Sequence, residues 1–212
     1  VRLSHWGIAL SIVALAATGL YIGRPFGAVP GEASAAFLMG RMKQIHTGAA
    51  IVFTLSVLAR IAWMFVGNRY ARWSELLPLS LERIRGIFGT FAFYTFLRRD
   101  PPPYLGHNPL AGFAYSLVFA LCLTQIGTGL ALYSVSAHVD SVLSSFQFLV
   151  PIFGGLQMAR LIHHVVMWLL IGFTAHHVWS SILMSLTERN GLIDSIFSGF
   201  KHAPTEPKEP RS

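Results

Sequence analysis

Cysteine and charge are what this 212-residue sequence has least of. Cys122 is its one cysteine. A single thiol excludes an internal disulfide, a cysteine-rich zinc site, an iron–sulfur cluster and a CxxCH haem attachment. Only 12% of residues are charged, against about a quarter in a typical soluble domain. Hydrophobic residues make up 53%, which excludes a disordered chain and argues against an ordinary soluble domain. Acidic residues are scarce, nine against sixteen Lys and Arg, for a net charge of +7. That excess alone would suit nucleic acid, but the apolar runs are too long for that reading. What is plentiful is histidine, with nine residues. A redox centre in this chain would have imidazole as its ligand.

Crossing a hydrocarbon core of roughly 30 Å takes about 20 apolar residues. Four segments meet that length: His5 to Gly23, Ile45 to Val66, Leu110 to Ser134 and Leu161 to Thr187. Arg60 in the second is the one Asp, Glu, Lys or Arg within them. Each is too long for a signal-peptide core, and no small-residue cleavage pattern follows the first. The expected fold is therefore all-α, an integral membrane four-helix bundle occupying residues 1–200, with a flexible tail at 201–212. Residues 24–44 contain Pro25, Gly27, Pro30 and Gly31 and predict an irregular loop. In the connector 67–109, the stretch Leu81 to Leu97 mixes Arg83 and Arg85 with Phe88, Phe91, Phe93, Tyr94 and Phe96. That pattern predicts a helix lying in the membrane interface. A fifth span is the alternative, but its uncharged run is short. Asp100-Pro101-Pro102-Pro103 ends any helix there. Residues 135–160, with Pro151 and Gly154-Gly155, predict the last connection.

Lys and Arg concentrate in the cytoplasmic loops of membrane proteins. With four spans, Arg2, the 67–109 connector and the tail share one side. They hold Arg69, Arg72, Arg83, Arg85, Arg98, Arg99, Arg189, Lys201, Lys208 and Arg211 as well. The other side holds only Arg24, Arg41, Lys43 and Arg160. Both termini are expected in the cytoplasm. The positive balance then reads as topology and attraction to anionic membrane lipid, with no nucleic-acid partner.

Ionisable side chains within spans are rare and usually functional. Six histidines lie in or at the ends of spans: His5, His46, His163, His164, His176 and His177. His107, His138 and His202 lie in loops or the tail, where a solvated or interfacial side chain is the simpler reading. Chain direction puts His46, His163 and His164 toward the periplasm, and His5, His176 and His177 toward the cytoplasm. His163 and His177 differ by only about 40° around a helix axis and are separated by about 21 Å of rise. Of the pairs the fourth span offers, they alone face the same partner helices. Two histidines at one depth on facing helices suit bis-histidine ligation of haem iron, and six-coordinate iron suits electron transfer. Gly48, Ala49 and Ala50, and Ala16, Ala17 and Gly19, would admit a macrocycle, although small residues also serve plain helix packing. Two haems, a histidine-based proton or metal-ion transporter, and unliganded polar contacts between helices all remain open on the pattern alone.

Several motifs narrow this choice. VRLSHW at 1–6, GEAS at 31–34, IH at 45–46, RIAWMFVGNRYAR at 60–72, GHNPLA at 106–111 and TGLALYS at 128–134 recur along most of the chain. His163 with MWL at 167–169, and HVW at 177–179, complete the set. In these the chain resembles the cytochrome b membrane subunit of nickel–iron uptake hydrogenases. The resemblance implies four helices holding two b haems. It implies His5, His46, His163 and His177 as axial ligands of the iron. The depth argument then pairs His46 with His163 on the periplasmic side and His5 with His177 on the cytoplasmic side.

The same resemblance implies partners and a place in a bacterial inner (cytoplasmic) membrane. A periplasmic nickel–iron large subunit oxidises hydrogen, and an iron–sulfur small subunit passes electrons to this chain, which reduces membrane quinone. No hydrogen chemistry belongs to the chain itself. One departure concerns the quinone end. The family's Arg-Glu-Asp run after the last ligand is replaced by Leu183-Met184-Ser185, with Glu188-Arg189 only later. His107 and Asn108 are quinone-site candidates, although Asn108 before Pro109 is also a good helix N-cap. Arg60 is a candidate for a haem propionate or quinone, or a side chain that snorkels to the interface. The equivalent subunit of another quinone-linked enzyme, such as formate dehydrogenase or a thiosulfate or polysulfide reductase, is the alternative.

Overall fold

A computed structural model describes residues 1–26, 37–67, 81–95, 97, 109–188 and 192–198. All regular structure among these residues is helical. The helices are α1 (Arg2–Gly23), α2 (Leu38–Val66), α3 (Leu81–Tyr94) and α4 (Pro109–Ser134). A 3-10 helix (Val142–Phe148) then runs into α5 (Leu149–Ile152), followed by α6 (Leu156–Glu188) and α7 (Leu192–Ser198). Four of them contain stretches long and apolar enough to cross a membrane: Arg2–Gly23, Leu38–Val66, Gly112–Ser134 and Leu156–Leu186. The protein is a multi-pass membrane protein with four spans. Helices are the natural outcome, because lipid offers no partner for backbone N–H and C=O groups.

Two spans start earlier than their apolar windows. α2 begins at Leu38 and takes in Arg41 and Lys43, and α6 begins at Leu156 rather than Leu161. Hydropathy marks the part that lies in hydrocarbon, whereas backbone hydrogen bonding carries a helix on into the interface. The connection before α6 is also more ordered than its prolines and glycines suggest. Pro151 sits in the short α5, where its missing N–H breaks no helix bond. Gly154 and Gly155 have φ of +77° and +97°, a region side chains avoid. They turn the chain into α6, and Gly155 O accepts the bond from Ala159 N at 2.9 Å.

α3 is the connector helix expected from the Leu81 to Leu97 pattern. Its 14 residues rise only about 21 Å, too short to span. It packs against α4 and buries Thr90, while Phe88 and Phe91 are exposed. His107, Asn108 and residues 201–212 lie outside the described residues.

The described chain forms two compact units. One comprises Val1 and Leu3–Leu170, the other Arg2 and residues from Ile171. The first has a core of Phe53 and Val57 from α2, Cys122 from α4, and Val166 and Leu170 from α6. Cys122 serves there as a small buried side chain with a free thiol. Large apolar residues such as Leu10, Leu55, Leu117 and Trp168 point outward, while Ser11, Thr18, Thr128 and Ser134 are buried. This inversion suits a bundle in lipid, where small and polar side chains let helices approach. A Cβ at Gly7 would run into the Ser56 side chain, so α1 and α2 are close there. The second unit carries the C-terminal half of α6 and α7.

Candidate functional site

Helix packing in the first unit places two histidines against two threonines. His46 Nδ1 lies 2.8 Å from Thr18 Oγ1, on α1. Thr18 Oγ1 is also 2.7 Å from the Ala14 carbonyl oxygen, one turn back. A hydroxyl has one proton, and here it goes to that carbonyl. Its oxygen therefore accepts the Nδ1–H of His46, and Nε2 is left with a lone pair.

α4 and α6 repeat the arrangement. His163 Nδ1 lies 2.9 Å from Thr128 Oγ1, which donates to the Thr124 carbonyl oxygen at 2.8 Å. The other ring nitrogen of His163 lies 3.1 Å from Gln125 Nε2. The amide N–H donates to it, as a lone pair at Nε2 requires. Gln125 Oε1 is buried with no hydrogen-bond partner among the described residues.

Glycines make room for both rings. A Cβ at Gly19 would sit 3.3 Å from His46 Cε1 and 3.7 Å from Met167 Sδ. A Cβ at Gly129 would sit 3.4 Å from His163 Cε1. Gly19 thus marks where α1 meets both α2 and α6. Gly48, beside His46 in sequence, faces open space instead.

From the sequence, Gly19 is named only as a small residue and Thr128 and Gly129 only within the TGLALYS motif, and Thr18 and Gln125 are not named. A signal for most of them was present. Thr18-Gly19-Leu20 and Thr128-Gly129-Leu130 are the same tripeptide in two odd-numbered spans.

The sequence matches the family described as prokaryotic cytochrome b561 over residues 1–199. The chain belongs to that family. Relatives named "Probable Ni/Fe-hydrogenase B-type cytochrome subunit" include one from Rhizobium leguminosarum bv. viciae, 39% identical over 94% of this chain and 84% of its own length. Another, from Cupriavidus necator, is 37% identical over 95% of this chain and 84% of its own. The "Probable Ni/Fe-hydrogenase 1 B-type cytochrome subunit" of Escherichia coli K12 is 34% identical over 95% and 87%.

Membership of the cytochrome b561 family implies haem b, and the His46 and His163 surroundings fit it. Both rings present a neutral nitrogen lone pair, the form that binds iron. A glycine lies beside each, and one buried amide oxygen, Gln125 Oε1, has no partner among the described residues. Both histidines belong to the Leu3–Leu170 unit, and His163 is within electrostatic reach of His46.

The other predicted residues are placed as follows. His5 is half-buried in the first unit, its ring edge-on to Trp6 at 5.5 Å between centroids. His177 belongs to the second unit and stacks on Phe173, 5.6 Å between centroids and 15° between planes. His176 tilts against Trp179. His164 is exposed, and its Nδ1 bonds the Arg160 carbonyl oxygen of its own helix at 2.9 Å. His138 is solvated, 3.7 Å from Asp140. Arg60 is buried, with its Cζ 5.3 Å from the centroid of the Tyr115 ring. Its Nε and Nη1 have no hydrogen-bond partner among the described residues. Burial of this kind is the opposite of snorkelling.

Proposed function

We propose that this chain is a di-haem b electron-transfer subunit. It takes electrons from the iron–sulfur small subunit of a periplasmic nickel–iron hydrogenase and delivers them to membrane quinone. The observation that carries this reading is the matched pair His46 and His163, each with Nδ1–H given to a threonine and a lone pair on Nε2, where in His163 iron would take the place of the Gln125 amide donor. Bound haem supplies one-electron transfer at iron between its ferric and ferrous states.

Each residue has a role in this scheme. His46 and His163 hold one haem on the periplasmic side, where the partner's electrons arrive. His5 and His177 hold the other on the cytoplasmic side. The charge asymmetry supports this orientation, with both termini in the cytoplasm. Arg60 lies 14 residues beyond His46 on α2, about 21 Å along the axis and nearly on the same face. That puts it at the depth proposed for the cytoplasmic haem. A buried guanidinium with unpartnered N–H groups calls for an anion. A haem propionate or an oxygen of reduced quinone supplies one. His107 and Asn108 remain quinone-site candidates on sequence position.

A histidine-based transporter does not suit a member of a cytochrome family. The hydrogenase names of the relatives favour hydrogenase over formate dehydrogenase or a thiosulfate or polysulfide reductase as the partner. A pyridine haemochrome assay on the purified chain tests the central reading. Two haem b per chain is the expected result, and none would overturn it. Co-purification in mild detergent should bring down the small and large hydrogenase subunits; recovery of a molybdenum enzyme instead would transfer the chain to the alternative.

A further inference from the structure

We propose that the two Thr-Gly-Leu segments, Thr18-Gly19-Leu20 on α1 and Thr128-Gly129-Leu130 on α4, are a paired positioning device for the ligands His46 and His163. The inference rests on the reading that these two histidines ligate one haem. In each segment the threonine sets the tautomer and the glycine sets the ring's place.

The threonine half follows from the hydrogen bonds. Thr18 Oγ1 has the Ala14 and Leu15 carbonyl oxygens at 2.7 and 3.3 Å, and Thr128 Oγ1 has those of Thr124 and Gln125 at 2.8 and 3.2 Å. Each hydroxyl proton is thereby committed to its own helix. Each oxygen then acts only as an acceptor toward the imidazole, at 2.8 and 2.9 Å. Thr18 is 6% exposed and Thr128 0%, so water does not compete for these bonds. Each ring is held with Nδ1–H on its threonine and a lone pair on Nε2 before any metal arrives.

The glycine half follows from the close approaches. The same ring atom, Cε1, lies 3.3 Å from a Cβ at Gly19 and 3.4 Å from one at Gly129. A methyl group at Gly19 presses on the imidazole edge of His46, and one at Gly129 just touches that of His163.

A hydrogen bond from Nδ1–H increases the electron donation of a ligand imidazole and favours ferric iron. Removing the acceptor therefore raises the midpoint potential of that haem. Thr18→Val and Thr128→Val keep the side-chain shape and lose the hydroxyl acceptor, leaving only the backbone partners Leu15 and Gln125, while Thr18→Ser and Thr128→Ser retain it. The experiment is a potentiometric titration of the detergent-solubilised chain, with low-spin ferric EPR spectra and haem content measured on the same samples. Each valine variant should shift the ferric-to-ferrous equilibrium of one haem about tenfold, ~59 mV for one electron. The second haem should stay in place, and the serine variants should restore the first. Gly19→Ala should alter the EPR g values of that haem at full haem content.

A valine variant that loses the haem supports the proposal if serine restores it and overturns it if serine does not. Unchanged potential and g values in both valine variants at full haem content also overturn it. His46→Ala separates this outcome from failure of the underlying reading. If that variant keeps both haems, His46 is no ligand. If it loses one haem while the valine variants are silent, the ligand assignment stands and the positioning role falls.

Discussion

The two ends of α2 each carry a polar side chain, and the protein treats them differently. At one end His46 meets Thr18 of α1, and its Nδ1–H has an acceptor. At the other end Arg60 lies over the Tyr115 ring of α4, with Nε and Nη1 unpartnered among the described residues. An imidazole can be held neutral by one hydroxyl. A guanidinium stays charged, and an aromatic face satisfies its charge only in part. On the proposed function, the His46 end would fix a neutral ligand and the Arg60 end would receive an anion.

The largest effect that tests this contrast is loss of a cofactor. His46→Ala and His163→Ala should each remove the same single haem, seen as one haem per chain in the haemochrome assay and one surviving wave in a redox titration. His5→Ala and His177→Ala should remove the other. If His46→Ala and His5→Ala abolish the same wave, the proposed pairing is wrong.

Next in size is Arg60→Met. Removing a unit charge about 10 Å away, at an effective dielectric near 20, changes the ferrous–ferric balance by about 1–2 kcal/mol. The expected outcome is a lower midpoint for the His5/His177 haem, with the His46/His163 haem unmoved. Arg60→Lys should keep the charge but lose the planar fork, and so shift the midpoint less. A shift confined to the His46/His163 haem would reverse the assignment of Arg60 to the far end.

The smallest effects should come from histidines outside both ends. His138→Ala removes a solvated ring beside Asp140 and should leave haem content intact, with stability changed by no more than about 0.5 kcal/mol in thermal unfolding. His164→Gln should also leave both redox waves in place, because that ring bonds a carbonyl of its own helix. Loss of a haem in either variant would mean that the histidines are not sorted as proposed.

The spans and the candidate ligands are legible in the sequence. Runs of apolar residues free of charge mark a membrane crossing, and the spacing between His163 and His177 follows from helical pitch. Helix ends were less visible: Leu38 and Leu156 open helices outside hydrocarbon, where hydropathy carries no signal. The helical stretch from Val142 to Ile152 was hidden by Pro151 and by the glycines that follow it. The Thr18 and Thr128 partners were missed because threonine in a span is common and usually bonds only its own helix. Here both do that and also accept from a neighbour. Arg60 could be named from sequence, but burial and snorkelling predict the same letter.

The sequence by itself determined the class and the four spans, because hydropathy and the rise per residue are local properties. Tertiary structure alone decided which nitrogen of His46 and of His163 meets a threonine, which glycine stands beside each ring and whether Arg60 is buried. The reason is distance along the chain. Thr18 and His46 are 28 residues apart and Thr128 and His163 are 35 apart, so the bonds that set each tautomer exist only once the helices pack.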